Sequence, residues 1–71
     1  MQYRIEIMPD SNKIMLGYND YCDILTEVRD YIKNCVPINY HVSRIVKTYN
    51  DGRAIDVTHR FIKGGRKHET T

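Results

Sequence analysis

The sequence predicts an α+β domain: a two-layer sandwich in which one helix covers one face of a small antiparallel sheet. Three observations predict it. Tyr3, Ile5 and Ile7 alternate with Arg4, Glu6 and Met8 at the start of the chain. A stretch of apolar residues from Tyr21 to Cys35 recurs at helical spacing, and two apolar runs flank the turn pair Asp51-Gly52. Alternation with period two marks a half-buried strand, spacing near 3.6 marks an amphipathic helix, and Asp-Gly between apolar runs marks a hairpin. The expected order is ββαββ, or βαββ if the second strand does not form.

The elements follow in turn. The first strand is centred on Tyr3-Arg4-Ile5-Glu6-Ile7. Pro9-Asp10-Ser11-Asn12 is a cluster of turn formers, and Lys13-Ile14-Met15-Leu16 then reads as a short second strand closing a hairpin. Gly17 ends that pattern. Asn19 or Asp20 is placed to cap a helix, since a short side-chain oxygen satisfies free N–H groups of the first turn. Tyr21, Ile24, Leu25, Val28, Tyr31, Ile32 and Cys35 form its apolar stripe, opposite a polar face that includes Asp23, Glu27, Arg29 and Lys33. Pro37 stops the helix.

A two-residue turn at Asp51-Gly52 pairs Thr48 with Ile55, Val46 with Val57 and Val42 with Phe61, which makes one face almost wholly apolar. Lys47 with Asp56, Ile45 with Thr58 and Ser43 with Arg60 then share the other face. A three-residue loop would pair Val46 with Asp56 and mix the faces, so the two-residue turn is expected. Residues 1–63 thus form a single α+β domain, and 64–71 a flexible basic tail.

Composition narrows the function classes. At 71 residues and one domain, the chain has little room for a concave catalytic pocket. It lacks metal-ligand spacing, a glycine-rich phosphate loop and an apolar run of about 18 residues. No catalytic residue, cofactor, metal or membrane contact is expected, and the protein is read as cytoplasmic and non-enzymatic. Cys22 and Cys35 both fall on the expected helix, which would hold them roughly 20 Å apart and bar a disulfide between them. His41, His59 and His68 are scattered. Asp23 and Glu27 stand four apart, on a face read as solvated.

The net charge of +2 is unevenly spread. Residues 1–35 carry −2, from Arg4, Lys13, Arg29 and Lys33 against six acids. Residues 36–71 carry +4, from seven bases against Asp51, Asp56 and Glu69. Such a separation steers association with an anionic partner or a second copy. Six tyrosines, one phenylalanine and no tryptophan add a residue type favoured at interfaces.

One helix covers one sheet face, so the other face must meet water or a partner. Ile45, Lys47, Tyr49 and Arg60 are the candidate contact residues there, Ile45 and Tyr49 being apolar or amphipathic on an otherwise polar face. The expected function is a small protein-interaction module acting as a homodimer. The alternative is a nucleic-acid-binding module that uses the basic second half, since a sheet face bearing basic and aromatic side chains suits single strands.

The closing hairpin, Arg44-Ile45-Val46-Lys47-Thr48-Tyr49-Asn50-Asp51-Gly52-Arg53-Ala54-Ile55-Asp56-Val57-Thr58, together with the size and style of the whole chain, resembles small phage- or prophage-encoded orphan proteins, inhibitors of bacterial defence systems among them. The hairpin is generic and brings no functional residue with it. The resemblance implies a protein that acts by occupying a surface on a host protein.

Overall fold

The computed structural model describes residues 1–11 and 16–62. Strand β1 (Gln2–Pro9) is followed by β2 (Tyr18–Cys22), helix α1 (Leu25–Asn34), β3 (Tyr40–Thr48), β4 (Ala54–Asp56) and the four-residue helix α2 (Thr58–Phe61). The strands form one antiparallel sheet in the order β2-β1-β3-β4. The segment from β2 through α1 to β3 therefore crosses over β1, and α1 packs on one face. This is the expected α+β sandwich in its ββαββ form.

The core lies between α1 and that face. Tyr3, Ile5 and Ile7 from β1 meet Val28 from α1, Ile45 from β3 and Val57 from the end of β4, all buried. The alternation of β1 places its inward residues as the sequence predicts.

The second strand is not where the sequence put it. Of the expected strand at 13–16, residues 13–15 lie outside the described residues, and Leu16 is exposed and outside any strand. The strand that pairs with β1 is Tyr18–Cys22, with Ile5 opposite Asp20. Asn19 to Cys22 fall where the sequence predicts the helix cap and first turn. Helical spacing of Tyr21 with Ile24 and Leu25 is real, but five residues of ladder with β1 satisfy more backbone groups than one extra helical turn. Gly17 lets the chain reach this edge: a Cβ there would stand 2.8 Å from the carbonyl oxygen of Ile7.

The helix accordingly starts late, with Ile24 as N-cap and no side-chain cap of its own. Glu27 at the third helical position accepts a hydrogen bond from the Asp23 N–H at 3.1 Å, a variant of the reciprocal half of a capping box. Cys22 is on β2 and Cys35 is the C-cap of α1. Both thiols are free, but one continuous helix is not what separates them.

The closing hairpin adopts the register that the sequence argued against. Thr48 faces Ala54, Lys47 faces Ile55 and Val46 faces Asp56. The loop is Asn50-Asp51-Gly52. Gly52 donates to the Tyr49 carbonyl at 3.0 Å, and Tyr49 donates to that of Arg53 at 2.8 Å. Within this loop only Gly52 takes a positive φ, 95°. A type I′ turn would demand positive φ of Asp51 as well, at a cost of about 1–2 kcal/mol for a residue with a Cβ.

The face assignments change for a second reason. The β1–β3 register shifts between Glu6 and Ile7, so that Glu6 faces Arg44 while Ile7 faces Val42. Ser43 is the extra residue of a β-bulge. Tyr40 and Val42 point to the helix side, and beyond the bulge Ile45 and Lys47 do so instead. Ile45, expected on the outer face, is fully buried in the core.

β4 leaves the sheet after three residues, where the sequence predicts a strand continuing to Ile62. The Val57 N–H donates to the Ile45 carbonyl at 2.8 Å, and the Ile45 N–H donates to Thr58 Oγ1 at 2.8 Å. Asp56 accepts from the Thr58 N–H at 2.9 Å and hydroxyl at 2.6 Å, opening α2. This turn brings Phe61 edge-on to Tyr3, with ring centroids 6.1 Å apart. Residue 63 and the expected tail, 64–71, lie outside the described residues. Among the described residues no helix is long and apolar enough to cross a membrane.

Candidate functional site

The outer sheet face is closed by its own ion pairs. Glu6 on β1 accepts from Arg4 Nε at 3.0 Å and from Arg44 Nε and Nη2, each at 3.0 Å. The Arg44 guanidinium thus forks across β1 and β3 onto both carboxylate oxygens. That fork, then burial acting the other way, then the Arg4 bond hold the Glu6 carboxyl below its ordinary pKa. Val46, on the same face, is also buried. The face expected to present Ile45 and Tyr49 instead carries mutually satisfied charges.

The four candidate contact residues do not form one surface. Ile45 is in the core. Lys47 and Tyr49 lie together at one end of the sheet on the helix side. Arg60 is on α2, not on a strand paired to Ser43.

Lys47 belongs to a series that sequence reasoning did not assemble. Its Nζ lies 4.9 Å from the centroid of the Tyr49 ring and 5.6 Å from that of Tyr3. Arg53 lies over Tyr49 at 5.0 Å. Tyr3 meets Phe61 edge to face, and Arg29 of α1 lies over Phe61 at 6.0 Å. Cations and rings thus run in one series from the hairpin loop to the middle of α1, with Tyr3 and Phe61 as adjacent rings. Each such contact is worth roughly 0.5–1 kcal/mol at an exposed site. Arg29 and Phe61 were missed because Phe61 was read as a strand residue. The one signal for it was its being the chain's sole phenylalanine.

The series ends at a surface cavity of about 350 Å³ lined by Arg29, Ile32, Arg60 and Phe61. Arg4, Arg44 and Arg53 are each paired with a carboxylate. Arg29 and Arg60 are exposed and form no ion pair among the described residues.

The remaining reactive groups are engaged elsewhere. His41 Nδ1 and Asp10 Oδ1 stand 2.7 Å apart, so His41 is held by Asp10 and not by Cys35. His59 sits exposed on α2, and His68 lies outside the described residues. Burial, and then the acids Glu27, Asp20 and Asp23, push the Cys22 thiol up, away from the reactive thiolate. Asp23 lies before α1, so it and Glu27 do not pair along a helix face. The Tyr31 hydroxyl donates to Asp20 at 2.5 Å, and burial together with that bond pushes its pKa up. No three potential metal ligands cluster among the described residues.

No family model matches the chain, and comparisons with curated proteins and with solved structures find no match.

Proposed function

We propose that the protein is a non-enzymatic interaction module that binds another protein through the basic, aromatic-edged end of its helix-side layer. The series of cations and rings from Arg53 through Tyr49, Lys47, Tyr3 and Phe61 to Arg29 carries this reading. Its partner is a protein with an acidic surface, as a host protein held by a phage-type inhibitor would be. Tyrosine and arginine are the residues that most often anchor such contacts, and cations held over rings are already ordered before the partner arrives. The non-enzymatic part is supported by the pairing of the titratable groups: Glu6 with two arginines, His41 with Asp10, Asp56 with Thr58. Self-association belongs to the same reading. Leu16 and Ile38 are more than four-fifths exposed, and a domain this small gains from a second subunit.

Single-stranded nucleic acid is the second reading, and one observation favours it: rings and cations lie side by side, as base stacking and phosphate contact require. The two are separated by capture on the tagged chain, with and without nuclease, alongside a Lys47→Glu/Tyr49→Ser variant checked for folding by circular dichroism. One protein retained through nuclease treatment and lost in the variant is the expected result. Capture that disappears with nuclease and falls steeply with salt transfers the assignment to nucleic acid. Equal capture by a folded variant removes this surface from both readings.

A further inference from the structure

The cavity between α1 and α2, at the end of the series of cations and rings, has the makings of a small-molecule site. We propose that it binds a nucleoside monophosphate, with the phosphate monoester between Arg29 and Arg60 and the base against Phe61 and Ile32.

Charge comes first. Two guanidiniums border one cavity and neither is ion-paired among the described residues, while Arg4, Arg44 and Arg53 each have a carboxylate. A phosphate monoester carries about −1.5 to −2 at neutral pH, which matches two arginines better than the single charge of a carboxylate. Guanidinium is also the cation whose planar fork meets phosphate oxygens in pairs.

The apolar half comes second. Ile32 and Phe61 are half-buried and line the same cavity, so an inorganic anion would leave that wall unused. An aromatic ring on this wall points to a flat ligand, since a base offers a π-face for stacking. Size agrees: about 350 Å³ is at the low end of the roughly 300–1,000 Å³ of small-molecule sites.

Preorganisation comes third. Tyr3 holds Phe61 edge-on at an interplanar angle of 88°, and Arg29 rests over the same ring. Ring and cation are placed before any ligand arrives, which lowers the ordering cost of binding.

The same chemistry comes from two sources, a free mononucleotide or the 5′-phosphorylated end of a single strand. Isothermal titration of the full chain at low salt distinguishes them, using adenosine monophosphate, adenosine, inorganic phosphate, and an oligonucleotide of about eight adenosines with and without a 5′-phosphate. Adenosine monophosphate should bind at least about tenfold more tightly than adenosine or phosphate. Arg60→Ala and Arg29→Ala should each weaken it by about tenfold or more, as loss of a charged hydrogen bond implies. Both side chains are exposed, so circular dichroism should show both variants folded, and Arg60→Lys should restore part of the loss. A 5′-phosphorylated strand that outbinds the mononucleotide assigns the site to strand ends. Phosphate binding as well as the nucleotide, an unaffected Arg60→Ala, no binding at millimolar ligand, or strand binding indifferent to the 5′-phosphate each overturns the proposal. None of these touches the protein-binding reading, which is tested at Lys47 and Tyr49.

Discussion

Ile45 has no exposed surface, although its neighbour Arg44 is about half exposed on the other side of the sheet. Its side chain fills the space between β1, α1 and Val57, and its backbone N–H is closed by the Thr58 hydroxyl. Truncating a buried isoleucine costs about 2–5 kcal/mol, and a serine there adds a buried hydroxyl to satisfy. Ile45→Ser should therefore unfold most of the population, because a domain of this size has only about 5 kcal/mol or slightly more to lose. Tyr49→Ser should cost no more than about 1–2 kcal/mol, the value of its two exposed contacts with Lys47 and Arg53. Urea denaturation of the two single variants checks this. Equal midpoints would place Ile45 outside the core. Lys47 and Tyr49, by contrast, are half-exposed, on the helix side and at the sheet's end rather than on the outer face where the sequence puts them.

Among the elements, the closing hairpin depends on a single backbone conformation. Gly52 alone has positive φ in the loop, and a Cβ there would meet no atom within 4 Å. The cost of a substitution is thus conformational and not steric. Gly52→Val should destabilise the protein by about 1–2 kcal/mol or more, as a β-branched residue resists the left-handed region. Asp51→Ala should cost less than about 1 kcal/mol, because it removes only exposed contacts to the Arg53 N–H and Nε. Thermal melts of the two separate the loops: a type I′ turn would make both positions costly, the three-residue loop only Gly52. Earlier in the chain, α1 gains from Glu27 and from the Tyr31–Asp20 bond, which ties the helix to the edge strand β2.

At the scale of the whole molecule, acid is the condition to which the fold responds. The Arg44 fork lowers the pKa of Glu6, and the Thr58 hydroxyl and N–H lower that of Asp56. A carboxyl depressed in the folded state adds stability above its unfolded pKa and loses it as pH falls through the folded value. Stability should accordingly decline as pH drops below about 4.5, the ordinary value for Glu6. Glu6→Gln should be less stable than the parent at pH 7, with Arg4 and Arg44 left facing each other without their anion. The gap should shrink as pH falls through the lowered folded pKa of Glu6, where the parent's carboxyl also loses charge. Denaturant midpoints followed from pH 7 downward measure it, and a constant gap would mean that Glu6 acts through packing alone.

The sequence by itself determined the elements whose signals are local: the inward alternation of Tyr3, Ile5 and Ile7, a helix through Val28 and Tyr31, a turn at Asp51-Gly52, and a single helix over an antiparallel sheet. Each follows from a few residues and their immediate backbone preferences. Tertiary structure alone decided the phase of those elements. A bulge at Ser43 flips every later residue of β3 to the other face, because side chains alternate with period two and one inserted residue reverses them. Pairing with β1 turned Tyr18–Cys22 from helix cap into edge strand, and the Thr58–Ile45 bonds ended β4 early and folded Phe61 back onto Tyr3. The candidate site was legible as ingredients, basic residues and tyrosines in the second half, but not as a place. Arg29, Phe61 and Tyr3 come from three elements far apart in the chain, and only the packing of α2 against β1 and α1 sets their rings and charges side by side.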